Sequence, residues 1–271
     1  MGLFALQKTL TSMQNVYFGT LLQINSRSLH PSLSSLNHVN YMDPIVNFNG
    51  FGYDHVKDDY KVIRWLYFYD NAGVDELRRE YLDVEPMWEI YNLRCNSWRK
   101  LDIKMPCSGS NEKLYVNGMC HWWSLNDDNN YSNAEPRLVS FDLCNEVFLT
   151  TPLPSDMVDR YDICHLTFLN GSIGFIMYDE TTTFNIRILG ELGVKESWDK
   201  IFTVELLPYI ERPIGVGKKG DIFFRKDDDE LVSSDLSIQM IKELDAKGCE
   251  CWCYIAIYKD SLLPIEGLLT I

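Results

Sequence analysis

The residues best suited to chemistry here are thiols, imidazoles and clustered carboxylates, and their spacing decides what they could do. Cys249, Cys251 and Cys253 alternate with Glu250 and Trp252, so in a strand the three thiols share one face. A zinc site needs further ligands at suitable spacing, and no paired Cys-x-x-Cys accompanies them. Free thiols packed as small apolar groups are the expected role. Cys120-His121 and Cys164-His165 bring a nucleophile and a base together in sequence only. Consecutive strand residues point to opposite faces, which denies each pair the hydrogen bond that nucleophilic catalysis requires. Asp58-Asp59 sits where a turn is expected and has no companion acid, so turn capping suits it better than acid–base work. Gly215, Gly217 and Gly220 spell Gly-x-Gly-x-x-Gly, but Ile222-Phe223-Phe224 beyond them reads as a strand. A phosphate cradle needs a helix N-terminus at that place. No catalytic residue, metal ligand or cofactor is expected.

Charge narrows the partners. The formal net charge of -14 repels a phosphate backbone, and no basic stripe overturns it locally, so nucleic acid is not an expected partner. No run approaches the roughly 18 apolar residues that span a bilayer, so no membrane is expected either. Eight cysteines scattered without a secretory leader point to a reduced cytoplasmic or nuclear setting.

The elements that carry these residues are read from punctuation. Residues 1–47 form an N-terminal extension: Leu3, Leu6, Leu10 and Met13 have helical spacing, and Ser26, Ser28, Ser32, Ser34 and Ser35 mark a loop. Residues 48–271 change to short runs of Val, Ile, Phe, Tyr and Trp. Asn117-Gly118 and Asn170-Gly171 predict tight hairpins, with Gly217 to Asp221 a looser third. A second phrase also recurs, with an aromatic or apolar anchor seven positions after its start. Tyr91 leads to Trp98, Phe141 to Phe148, Ser234 to Ile241 and Tyr53 to Tyr60, while Trp198 anchors the remaining unit. Anchors spaced at about forty to fifty residues match the period of propeller blades. The predicted class is all-β, a propeller-like arrangement of small antiparallel sheets that must stack to bury their faces, with an ordinary β-sandwich of similar-looking strands as the alternative.

The phrases resemble the F-box-associated domain of plant F-box proteins, including F-box/kelch-repeat and S-locus F-box types. They are Gly50-Phe51-Gly52-Tyr53-Asp54, Glu89-Ile90-Tyr91-Asn92-Leu93 with Asn96-Ser97-Trp98, and Val116-Asn117-Gly118-Met119-Cys120-His121-Trp122. Ser140-Phe141-Asp142-Leu143 with Pro152-Leu153-Pro154, and Gly193-Val194-Lys195-Glu196-Ser197-Trp198, complete the series from about Phe48 to Glu266. The resemblance implies a non-catalytic role, in which an F-box binds the Skp-type adaptor of a cullin-based ubiquitin ligase and the β-domain selects the target protein. Before Phe48 the F-box's Leu-Pro opening and Cys-Lys-Ser-Trp-like phrase are missing, and so is a strand that normally precedes Gly-Tyr-Asp. The chain therefore reads as a shortened product with an incomplete ring, its adaptor contact in question and its N-terminal residues expected either to cover a sheet edge or to remain mobile.

Polar loops that differ from unit to unit are the expected contact sites for a target protein whose identity the sequence does not specify. They are Asp70 to Glu85, Asn126 to Asn133 with Asp127, Asp128, Asn129, Asn130 and Tyr131, and Asp227 to Glu230 with Asp227, Asp228 and Asp229. Two alternatives stay open. One is a kelch-like carbohydrate-binding module that uses Trp88, Trp98, Trp122, Trp123 and Trp198, although their repeat positions favour a core role. The other is a truncated fragment without ligase function.

Overall fold

Runs of β-branched and aromatic residues broken every few positions by Asn-Gly or Asp-led turns favour strands that fold back on their sequence neighbours. The structure, a computed structural model, describes residues 4–7, 45–67, 87–104, 106, 113–124, 136–157, 164–178, 183–205, 209–217, 219–238, 240–248 and 253–256. Among them there is no α-helix. Beyond β1 (Phe4–Gln7), the first sheet runs β2 (Ile45–Asp54), β3 (Asp59–Tyr67), β4 (Met87–Asn92) and β5 (Ser97–Leu101). The second holds β6 (Lys113–Val116), β7 (Met119–Ser124), β8 (Arg137–Asp142) and β9 (Val147–Pro152). The third holds β10 (Cys164–Leu169), β11 (Ser172–Tyr178), β12 (Thr183–Leu189) and β13 (Trp198–Glu205). The fourth holds β14 (Ile210–Val216), β15 (Ile222–Lys226), β16 (Glu230–Asp235) and β17 (Met240–Lys247). Each is a four-stranded antiparallel sheet with its strands in chain order, the form of a propeller blade.

The seven-residue phrase is a hairpin register. Tyr91 faces Trp98 across β4 and β5, and Ser234 faces Ile241 across β16 and β17. Four-residue turns place the partners seven apart, and Asn96 and Glu146 close two of these turns in the left-handed region at φ 49 and 58°. An aspartate at the strand end holds such a turn: Asp142 Oδ1 accepts the N–H groups of Cys144 and Asn145 at 2.7 and 3.1 Å. One grouping made from sequence changes here. Tyr53 and Tyr60 are also partners, but their hairpin joins the first two strands of its sheet, where Asn117-Gly118 and Asn170-Gly171 stand in the next two sheets. Tyr60 and Trp98 thus belong to one sheet, and Trp98, Phe148, Trp198 and Ile241 each mark the last strand of a different sheet. The expected turn-capping role belongs to Asp54, which accepts the N–H groups of Val56 and Lys57, both at 3.0 Å. Asp59 instead holds the next turn by accepting the N–H of Arg94 at 2.9 Å.

The Cα positions fall into two compact units, one around the first two sheets and one around the last two. In the first unit, Ile63, Trp88, Ile90 and Leu101 pack against Cys120, Trp122, Val139, Phe141 and Leu143. Trp88 and Trp122 stack at 5.4 Å. Two glycines allow this approach: a Cβ on Gly50 would lie 2.3 Å from Cys120 Sγ, and one on Gly52 would lie 2.0 Å from the Tyr115 ring. In the second unit, Leu169, Ile176, Phe184, Ile186 and Val204 pack on Ile210, Val216, Ile222, Phe224 and Val232. Each large apolar side chain buried this way contributes about 1.5–3 kcal/mol.

Residues 4–7 form a strand rather than part of the expected helix, and β1 pairs antiparallel with β18 (Cys253–Ala256). A helix this short is marginal by itself, so an available strand partner prevails over helical spacing. β18 stands beside β14 as β14 stands beside β10, and β1 covers an edge of it.

Candidate protein-binding loops

The connections in each sheet are of two kinds. Those between first and second strands, and between third and fourth, leave one end of the sheet; those between second and third strands leave the other. The first kind is short in the first unit and tied together. Leu143 donates its N–H to Gly118 O at 3.2 Å, and Arg94 donates to Asp58 at 3.0 Å. The three polar segments singled out from sequence are all of the second kind. Asp70 to Glu85 belongs to the β3–β4 connection, Asn126 to Asn133 to β7–β8 and Asp227 to Glu230 to β15–β16.

Asp70 to Glu85 lies outside the described residues, as do Asp127, Asp128, Asn129, Asn130 and Tyr131. Asp227, Asp228 and Asp229 form the β15–β16 turn, and Asp228 and Asp229 each lie near a cation. Asp227 donates its N–H to Tyr209 O at 3.0 Å, and Asp228 accepts the N–H of Glu230 at 3.1 Å. That hydrogen bond, against desolvation and with help from Lys226 at 3.5 Å, holds the Asp228 carboxyl below its ordinary range. Asp229 takes φ 69° and lies 3.3 Å from Arg225, which also donates to Glu211 at 2.7 Å. Lys226 reaches Glu230 at 2.6 Å and stands 5.1 Å from the centre of the Tyr209 ring. Arg225 and Lys226 are themselves buried, so this is a braced turn rather than a bare acidic patch.

Cys120 and His121 are engaged separately. Cys120 is buried, and burial pushes its thiol up. His121 Nδ1 lies 2.8 Å from Ser140 Oγ, and burial pushes its imidazole down to about 4 despite a hydrogen bond with the Val116 backbone. Cys164 and Cys253 begin β10 and β18, while Cys249 and Cys251 lie outside the described residues. Among the described residues no three His, Cys, Asp or Glu side chains are grouped to hold a metal. Nor is any helix there long and apolar enough to cross a membrane. Gly217 to Asp221 is a turn leading into β15: Gly220 donates to Gly217 O at 3.0 Å and Gly217 to Asp221 O at 2.7 Å. Trp88, Trp122, Trp123 and Trp198 are buried, and Trp98 is half-buried beneath the Arg64 guanidinium at 3.5 Å. Buried indole faces are unavailable for stacking on a sugar.

Three charged constellations escaped sequence reading. Lys61, wholly buried, donates to Leu143 O at 2.6 Å and Glu146 at 2.9 Å, and pairs with Asp54 at 2.7 Å. Burial opposes the charged form of each, yet the mutual hydrogen bonds prevail, raising Lys61 and lowering Asp54 and Glu146. Arg64 and Glu89, cross-strand partners, form a buried pair at 2.6 Å. Cys144 Sγ lies 3.3 Å from His55 Nδ1, a contact between residues 89 apart in the chain. Its thiol is pushed up, first by burial and then by its hydrogen bond to Asp54. The only local signal for the first two was a charged residue inside an apolar strand; the third had none.

Comparison with known proteins decides the family: the F-box associated beta propeller domain matches residues 16–265. This chain belongs to that family. An F-box/kelch-repeat protein of Arabidopsis thaliana is 24% identical over 193 residues, covering 69% of the chain and 48% of the relative. A putative F-box protein of Arabidopsis thaliana is 25% identical over 182 residues, covering 64% and 42%. The Arabidopsis thaliana F-box protein CPR1 is 26% identical over 225 residues, covering 74% and 52%. This F-box-associated chain thus spans about half the length of the curated relatives it matches. Among solved structures, the Dos1 propeller aligns at 12% identity with a TM-score of 0.37, over 76% of the chain and 49% of the other.

Proposed function

We propose that this chain is a non-catalytic protein-binding module, corresponding to the substrate-recognition part of an SCF-type (Skp–cullin–F-box) ubiquitin ligase subunit. Residues 48–271 are the recognition domain, and its target is held by the connections between second and third strands. The observation that carries the reading is the family match over residues 16–265. Each of the three polar connections joins the second and third strands of its own sheet, which supports the choice of contact loops. Such loops differ in length while the sheets beneath them keep one plan, which is how a shared scaffold serves different partners. The net charge of -14 favours a cationic protein surface as partner and disfavours nucleic acid. Half-buried and buried free thiols, Cys144 and Cys120 among them, suit a reducing cytoplasmic or nuclear compartment.

The test is affinity capture from plant extract with the full chain and with one in which residues 126–133 are replaced by a Gly-Ser connection. Loss of specifically retained proteins, with an unchanged thermal melt, is the expected result. Equal retention by both chains overturns the loop assignment. Co-expression of these 271 residues with a Skp-type adaptor is expected to give no complex, because no F-box phrase is recognisable among them; stable co-purification would overturn that part.

A further inference from the structure

Among the described residues no strand pairs with the outer edge of the last strand of any of the four sheets, and three of these edges are defended. β5 carries Arg99 and Lys100; β13 carries Asp199, Lys200 and Glu205 with a bulge opposite Ile186 and Arg187; β17 carries Lys242, Glu243, Asp245 and Lys247 with a bulge opposite β16. Charges and bulges of this kind stop a foreign strand from adding to an edge. β9 has neither defence along Val147-Phe148-Leu149-Thr150, which contains no charged residue and precedes Thr151 and Pro152, where Thr151 Oγ1 accepts the Gly193 N–H at 2.8 Å and Pro152 O the Trp198 indole N–H at 3.1 Å. Its composition favours extended backbone. Val147 and Leu149 point to the same side of the strand and are 57% and 42% exposed, while Phe148 between them packs on the core.

We propose that the outer edge of β9 is a second protein-binding surface, which takes an extended, uncharged segment of a partner protein flanked by lysine or arginine as an added strand. Backbone hydrogen bonds would supply the register, and apolar residues two apart in the segment would cover Val147 and Leu149. Charge identifies the occupant. A second copy of this chain brings a further -14 against -14, whereas basic flanks are drawn to the acidic molecule. This surface is a strand edge, separate from the connections assigned above, and it stands or falls independently of them.

The probe is a labelled synthetic peptide of alternating valine and threonine between paired lysines, titrated against the full chain by fluorescence anisotropy. Saturable binding is expected, weakened about tenfold or more in the double variant V147K/L149K and also in Leu149→Ser, with melting temperatures unchanged. A peptide with glutamates in place of the lysines is expected to bind more weakly. Unchanged affinity in both variants, or no saturable binding, overturns the proposal. So does a wild-type dimer in sedimentation that V147K/L149K converts to monomer, since the occupant is then a second copy. The chain with residues 126–133 replaced is expected to bind the peptide as wild type does, which separates failure here from failure of the loop assignment.

Discussion

Lys61 shows how much a single residue can hold. It reaches from β3 to the β8–β9 turn, and its three oxygen partners come from Asp54, Leu143 and Glu146. Lys61→Met removes the cation and leaves Asp54 a buried, uncompensated carboxylate, so a loss of about 3–5 kcal/mol in urea unfolding is expected. Asp54 is depressed in the fold, so its contribution is complete above the unfolded carboxylate value of about 3.9 and is lost as pH falls through the folded value. His121 acts at higher pH. Its folded value of about 4 lies below the ordinary 6.5, so the unfolded chain binds the extra proton between them and stability falls as pH drops through that window. About 3 kcal/mol is at stake, and urea melts at pH 7, 6 and 5 are expected to show a slope that His121→Gln removes.

At the scale of the strand and turn, most of the architecture was legible because hairpins are written locally. Asn117-Gly118 and Asn170-Gly171 fall at tight turns with φ near 52° at each asparagine, and Trp98, Phe148, Trp198 and Ile241 lie on the last strands. Tyr53 and Tyr60 were grouped with the wrong hairpin because two turns of equal length give the same spacing wherever they lie in a sheet. The Lys61 and Cys144 contacts were not legible, since they join residues 82 to 89 positions apart and depend on how the sheets meet. The Asp227 to Glu230 turn was legible as a polar connection, whereas the bracing of its carboxylates by Arg225 and Lys226 was not, because Arg225 and Lys226 read as ordinary strand-end cations. Gly50 and Gly52, read at first only as part of a phrase, are explained by packing. Gly50→Ala drives a methyl group into buried Cys120, and a loss of about 1–3 kcal/mol by chemical denaturation is expected. Gly52→Ala meets the Tyr115 ring, whose hydroxyl accepts the N–H of Tyr53 and donates to its carbonyl, both at 3.1 Å, so a comparable loss is expected in the same assay. Trp198→Ala, which also removes the indole hydrogen bond to Pro152 O at 3.1 Å, is expected to cost about 3–5 kcal/mol in the same assay.

For the whole molecule, the four sheets share one plan: every strand pairs with its neighbour in sequence, so each sheet is complete once its own forty to fifty residues are available. The pairing of Phe4–Gln7 with Cys253–Ala256 breaks that pattern. Its two halves lie far apart in the sequence. Local hairpins can form while the chain is still being translated, but this contact must wait for Cys253–Ala256 and bear the entropy of closing a very long loop. Phe4–Gln7 is thus made well before its partner strand, and until the two meet, the side of Cys253–Ala256 that it covers is open to any passing extended chain.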